Sequence, residues 1–221
     1  MNRQEIVRHI EELGIVPVIR APSAELAARA ARAVLAGGID VLEITMTVPD
    51  ALSLMRTLRA ELGSDVILGA GTVLDAKTAR DCIAAGAQFI VSPGFDLETV
   101  KVVQELGCPV MPGVLTPTEV IQAWKAGADM AKVFPCSAAG GASYLKALKA
   151  PLPQVKLLPT GGVDLDTARE YIAAGASALG LGASLVDIKL LERQGEGAIT
   201  ERAVRLVEIV RQARAELVPR T

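Results

Sequence analysis

The sequence predicts a (β/α)8 TIM barrel with an extra N-terminal helix, and three observations predict it. Eight short apolar runs begin at Ile15, Val41, Val66, Phe89, Pro109, Met130, Val155 and Ala178, so a new run starts every 20 to 26 residues. Between them lie Ala/Leu/Glu/Arg-rich segments with helical apolar spacing, such as SAELAARAARAVLAG and LDAKTARDCIAAG. Near-continuous apolar strands alternating with helices imply a parallel sheet covered on both faces. The third observation is an internal echo. AGGIDVLEI, AGAQFIVSP, AGADMAKVF and AGASALGLG lead into the second, fourth, sixth and eighth runs. In each, a glycine supplies the left-handed residue that ends a helix before the strand begins. A two-unit alternation through all eight runs fits a closed barrel better than an open doubly wound sheet. No GxGxxG follows the first run, which weighs against a dinucleotide-binding fold.

In chain order, residues 2–13 alternate charged and apolar side chains at helical spacing and form the extra helix. The strands are then IVPVIR, VLEIT, VILGAG, FIVSP, PVMPG, MAKVFP, VKLLPTGG and ALGLG, each closing on Gly, Pro, Thr, Ser or Arg. The stretch from Ala198 to Val218 is the last barrel helix. No linker or compositional break divides the chain, so residues 1–221 are read as one barrel domain, a usual size for this architecture.

Composition removes several functions. A net charge of −2, without a concentrated basic face, argues against nucleic acid, and 3% aromatic residues are too few for base-stacking platforms. No run approaches the roughly 20 apolar residues of a membrane span. The first residues do not resemble a signal peptide. The single histidine, His9, lies on the N-terminal helix, away from any strand end, which removes His-based zinc sites and Ser-His-Asp or Cys-His arrangements. Cys82, Cys108 and Cys136 are odd in number and share no C-x-x-C spacing, as expected of reduced thiols. A cytoplasmic protein without a metal or other cofactor is therefore expected.

Barrel sites sit at the C-terminal ends of the strands. Two charges interrupt apolar runs there: Glu43 within DVLEITM and Lys132 within DMAKVFP. Alternate strand residues share a face. Glu43 thus sides with Val41 and Thr45, and Lys132 with Met130 and Phe134. On the helix-covered outside either charge would be buried and unpaired, at a cost of several kcal/mol, so both are expected to point inward, where they can meet. An amine in an apolar interior becomes a usable nucleophile, and a carboxyl beside it can shuttle protons. Schiff-base chemistry on a carbonyl substrate is one reading; a structural ion pair is the other. The rival amine, Lys156, comes second in its run and belongs near the bottom of the barrel. The remaining lysines fall on helices or loops and read as solvated.

Glycine clusters close the last two strands: PTGG (Pro159–Gly162) and LGAS (Leu181–Ser184). Loops after the seventh and eighth strands commonly hold phosphate in such barrels, and glycine allows close backbone approach to an anion; ordinary turn chemistry is the alternative. GAGT (Gly69–Thr72) and VSPG (Val91–Gly94) end neighbouring strands. Arg20, at the end of the first strand, is the cation placed to meet a substrate carboxylate, or else a surface arginine. Trp124 and Met111 read as packing residues.

Taken together, VPVIR, VLEIT, GAGTV, FIVSPG, MPGVLTPTE, KVFP, KALKAPLPQVKLLPTGGV and the GAS ending at Ser184 occur in an order that closely resembles the class I 2-keto-3-deoxy-6-phosphogluconate aldolases of the Entner–Doudoroff pathway. The resemblance runs from about Ile15 to Val186. It implies Lys132 as the Schiff-base lysine and Glu43 as the general acid/base. Thr72 and Pro93 match positions contacting the pyruvate part, Thr160 a further active-site residue, Phe134 a pocket wall beside the lysine, and Gly161, Gly162 and Ser184 the phosphate contacts. It also implies a homotrimer that needs no metal and, in many members, activity on 4-hydroxy-2-oxoglutarate. One departure stands out. Where well-known members carry a carboxylate-binding arginine four residues after the glutamate, this chain has Thr47, and Arg20 is expected to take the carboxylate with Thr47 adjacent.

The expected reaction is reversible cleavage of a phosphorylated keto acid, 2-dehydro-3-deoxy-6-phosphogluconate, to pyruvate and D-glyceraldehyde 3-phosphate. The same chemistry on the galactonate epimer or on 4-hydroxy-2-oxoglutarate is the nearest alternative, since spacing does not encode stereochemistry. A phosphate-binding barrel isomerase or synthase is more distant, having no need of an amine inside the sixth strand. A non-catalytic ligand-binding barrel is the third option.

Overall fold

A computed structural model describes residues 1–217. The strands are β1 (Ile15–Ile19), β2 (Val41–Thr45), β3 (Ile67–Gly71), β4 (Phe89–Val91), β5 (Val110–Met111), β6 (Gly113–Val114), β7 (Ala131–Val133), β8 (Leu157–Pro159) and β9 (Leu179–Leu181). All pairings are parallel, in the orders β5-β4-β3-β2-β1-β9 and β6-β7-β8. β5 and β6 are the two halves of the fifth run. Pro112 separates them because it has no N–H to give the ladder. A parallel bridge between Thr160 and Gly180 joins β8 to β9 and closes the ring. The architecture is the (β/α)8 barrel that the alternation predicts.

Outside the barrel run α2 (Ala24–Ala36), α3 (Ala51–Leu62), α4 (Ala76–Ala84), α5 (Leu97–Glu105), α6 (Pro117–Lys125), α7 (Gly141–Lys149) and α8 (Ala168–Ala173). The predicted last helix is found as α10 (Glu196–Leu217), and a short helix not expected from the sequence, α9 (Ile188–Gln194), precedes it, the two separated at Gly195 with φ of 79°. Val218, the predicted last residue of that helix, lies outside the described residues. Side-chain oxygens of Ser23, Asp75, Asp96, Thr116 and Asp187 cap α2, α4, α5, α6 and α9 by accepting an orphan backbone N–H.

Strand parity divides the core into two layers. Leu42, Ile44, Leu68, Ala70 and Ile90 face outward into the helix layer, against residues such as Ala27, Ala31 and Val34 of α2. Val16, Val41, Ile67, Phe89, Met111, Met130 and Leu158 face inward. The extra helix α1 (Arg3–Leu13) begins with a capping box between Asn2 and Glu5 and packs Ile6, Val7 and Ile10 onto that inner set, plugging the bottom of the barrel. Its polar edge is tied down by Arg3 to Asp129 (2.9 Å), His9 to Asp40 (2.8 Å) and Lys156 to Glu11 (2.6 Å). Lys156 therefore does lie at the bottom, away from the strand ends. No helix among the described residues is long and apolar enough to cross a membrane.

Candidate active site

The inward parity of β2 that places Val41 in the barrel interior also turns Glu43 inward, and that of β7 does the same for Lys132 two residues after Met130. The two side chains are only 1% and 7% exposed, with Lys132 Nζ 3.9 Å from Glu43 Oε1. That separation is an ion pair without a hydrogen bond, and Oε1 has no hydrogen-bond partner among the described residues. Burial pushes the Glu43 carboxyl above the usual carboxylate range, against the opposing pull of Lys132 and then Arg20. A carboxyl so placed holds its proton more readily than an exposed one and stands where it can pass it to a ligand above.

Glycine makes the room for this pair. A Cβ on Gly71 would sit 1.9 Å from Glu43 Oε1, one on Gly113 2.1 Å from the Pro93 backbone, and one on Gly180 2.1 Å from Thr160 Oγ1. These inward positions have to be bare for the upper barrel to hold charged side chains and a ligand. At the end of β3, Thr72 has φ of 57°, a left-handed conformation that a β-branched residue adopts only under constraint. Met46 N–H donates to Gly71 O and Val73 N–H to Val91 O, holding both sides of that turn.

Above the pair opens a cavity of about 660 Å³. Seven of the residues expected to form the site line it or enter it: Arg20, Thr72, Pro93, Lys132, Phe134, Thr160 and Gly161. Glu43 lies buried next to Lys132. The Phe134 ring stands at the mouth with its centroid 5.4 Å from Lys132 Nζ. Gly161, Gly162 and Ser184 border an adjoining space of about 310 Å³, which shares Gly161, Gly182 and Ala183 with the main cavity. Gly161 and Gly162 have φ of 86° and 78°, and a Cβ on Gly162 would meet Ser137 Oγ at 2.1 Å. Only glycine fits there.

Two expected residues behave differently in detail. Thr47 does not border the cavity: its hydroxyl is 2.8 Å from Thr45 Oγ1, and Thr45 in turn donates to the Ile19 carbonyl (3.1 Å). Ser184 borders the smaller space, but its hydroxyl donates to the Val163 carbonyl (2.7 Å). Residues not anticipated from the sequence are Val18, Val186, Asp187, Ile188 and Lys189. The last four belong to the segment leading from β9 into α9. The signal available was a lysine only five residues beyond the LGAS cluster. Among the described residues no group of three or more His, Cys, Asp and Glu side chains is gathered so as to hold a metal.

A barrel with a primary amine and a carboxyl buried at its C-terminal end, beneath an open cavity flanked by glycine loops, has the parts of an enzyme that works on a carbonyl compound through an imine. The family model for KDPG and KHG aldolase matches residues 6–202, and the chain belongs to that family. The KHG/KDPG aldolase of Escherichia coli (strain K12) is 37% identical over 195 residues, 88% of this chain and 91% of that protein. The 2-dehydro-3-deoxy-phosphogluconate aldolase of Haemophilus influenzae is 34% identical over 208 residues, 94% and 98% of the two chains. The KDPG aldolase of Legionella pneumophila, solved with pyruvate captured as a covalent carbinolamine, superposes with a TM-score of 0.81 at 34% identity, covering 87% of this chain and 93% of that one.

Proposed function

We propose that this chain is a class I aldolase, a lyase that reversibly cleaves 2-dehydro-3-deoxy-6-phosphogluconate to pyruvate and D-glyceraldehyde 3-phosphate. The observation that carries the reading is the buried Lys132–Glu43 pair beneath the cavity. The Lys132 amine adds to the C2 ketone and water leaves, giving an iminium that serves as electron sink. Glu43, directly or through a water, takes the proton from the C4 hydroxyl, and the C3–C4 electron pair flows into the iminium. Glyceraldehyde 3-phosphate departs. The enamine left behind gains a proton at C3, and water hydrolyses the resulting iminium to pyruvate and free amine.

Arg20 is the carboxylate partner in this reading. It lines the cavity, and its charge is felt by Glu43. Thr72 and Pro93 contact the pyruvate part, Thr160 lines the wall, Phe134 borders the lysine, and Thr47 acts through Thr45. The phosphate lies against Gly161, Gly162 and the loop of Ser184. With the Ser184 hydroxyl turned to Val163, backbone groups of these glycine-rich turns are its main donors. The same steps cleave 4-hydroxy-2-oxoglutarate. The enzyme works in the cytoplasm as a homotrimer.

The test is borohydride reduction in the presence of pyruvate, followed by mass spectrometry of the intact protein and its peptides. A reduced pyruvyl adduct is expected on Lys132 and absent in Lys132→Ala. A folded protein with no adduct would refute the reading.

A further inference from the structure

The ionic groups that line the main cavity are Arg20, Lys132, Asp187 and Lys189. Lys132 is engaged with Glu43. Asp187 accepts the Leu190 N–H at the start of α9 (3.0 Å) and has Arg202 at 3.9 Å, so its charge is already answered from outside the cavity. Neither the Arg20 guanidinium nor Lys189 Nζ takes part in an ion pair or hydrogen bond among the described residues. The cavity thus offers two uncommitted cations. They stand on different elements: Arg20 directly follows β1, whereas Lys189 follows the LGAS loop on the first turn of α9.

On the aldolase reading, the substrate has an anion at each end, and Lys132 fixes where its C2 must lie. Arg20 answers the carboxylate. The phosphate end is bordered by Gly161, Gly162 and Ser184, whose backbone supplies hydrogen bonds but no net charge, and Lys189 is the cavity-lining cation on the segment continuing from that loop.

We propose that Lys189 is a specificity residue for the distal phosphate, making the enzyme favour phosphorylated over uncharged aldehydes through charge rather than hydrogen-bond geometry. A flexible four-carbon stem carrying a point charge suits a solvent-facing dianion, and an exposed interaction of this kind is worth several-fold in affinity, not orders of magnitude. It is also screened by salt.

The experiment runs the reaction in the condensation direction, pairing pyruvate with D-glyceraldehyde 3-phosphate or with D-glyceraldehyde, and compares the unsubstituted enzyme with Lys189→Ala, Lys189→Glu and Lys189→Arg. The readout is the ratio of kcat/KM for the two aldehydes. Lys189→Ala lowers that ratio about three- to tenfold, through KM for the phosphorylated aldehyde, and Lys189→Glu lowers it further. Lys189→Arg retains it, and 0.5 M salt narrows the differences. A ratio insensitive to charge at position 189, or equal losses with both aldehydes, would overturn the role of Lys189 alone. Absence of condensation with either aldehyde in the unsubstituted enzyme would overturn the aldolase reading and this role with it.

Discussion

Gly71→Ala is the substitution whose consequence follows most directly from the geometry. The φ of Gly71 lies outside the left-handed region, so alanine adds no backbone strain and its effect is the methyl group alone. That methyl would lie 1.9 Å from Glu43 Oε1, 2.6 Å from Cδ and 2.7 Å from Cγ. Restoring an ordinary contact of about 3.4 Å requires the carboxyl to move by roughly 1.5 Å. Glu43 is 1% exposed, so it must displace its neighbours or leave its position relative to Lys132. Overpacking of this kind costs about 1–3 kcal/mol. At about 2 kcal/mol, a chain of this length loses about 4–8 °C in Tm. The catalytic loss is larger, because a misplacement of about 1 Å can cost about 100-fold and a positioned acid/base contributes about 10²–10⁴-fold. The expected result is a folded protein with kcat reduced about 10²–10³-fold that still forms a borohydride-trappable adduct with pyruvate. The assay couples cleavage to pyruvate detection, with circular dichroism melts alongside. A folded variant with kcat within about threefold of the unsubstituted enzyme would refute the placement of Glu43 as proton carrier.

Glu43→Gln is expected to lower kcat about 10²–10⁴-fold and to change the pH dependence of stability. Because burial raises the carboxyl's folded pKa, its contribution to stability is full below the ordinary carboxylate range and is lost as pH rises through the raised value. The Tm of Glu43→Gln relative to the unsubstituted protein should therefore climb as pH rises above the ordinary carboxylate range, and a flat difference would contradict the assignment. Arg20→Ala removes a charge-assisted contact worth about 1.5–3 kcal/mol, raising KM for pyruvate-type substrates about 10- to 100-fold; an unchanged KM would rule out Arg20 as carboxylate partner. Dialysis against EDTA should leave the cleavage rate intact, and a loss restored by a divalent cation would overturn the imine route.

Much of this site is legible in the sequence because strand parity is a local property. Once VLEIT and MAKVF are read as strands packed by helices on one side, Glu43 and Lys132 have to share the inside, and Lys156, second in its run, has to lie low. The glycine clusters are legible for the same reason: they mark where the strands end. What was missed depends on geometry between elements. Pro112 splits the fifth strand because of a ladder bond it cannot make. The short α9 falls before the stretch that reads as the last helix, and Gly195 sets it apart from α10. Thr47 and Ser184 follow strands as expected, yet each hydroxyl is turned toward a neighbour, Thr45 and the Val163 carbonyl, by turns whose shape is not encoded in spacing. Lys189 reads as a solvated lysine, and it is solvent-exposed. The role proposed for it depends on where α9 begins relative to β9.

Parity alone does not explain why Lys132 rather than Lys156 is the amine proposed to react, since both lie in or beside strands of the same barrel. Their surroundings differ. The bottom of the barrel is filled by Val16, Val41, Ile67, Met111 and Met130 and sealed by α1, and there Lys156 is 40% exposed and held at 2.6 Å by Glu11. An amine so closely paired and so well solvated gains little from attacking a carbonyl, and the main cavity does not reach it. Higher up, bare glycines replace the large inward side chains. There Lys132 is buried, its carboxyl partner stands off at 3.9 Å with an oxygen left unpaired, and an open cavity lies above. Keeping a buried, incompletely paired charge is costly, and the apolar lower barrel and outer helix layer supply the stability that offsets it. The loose pairing leaves the amine available to a ketone and the carboxyl available to its proton.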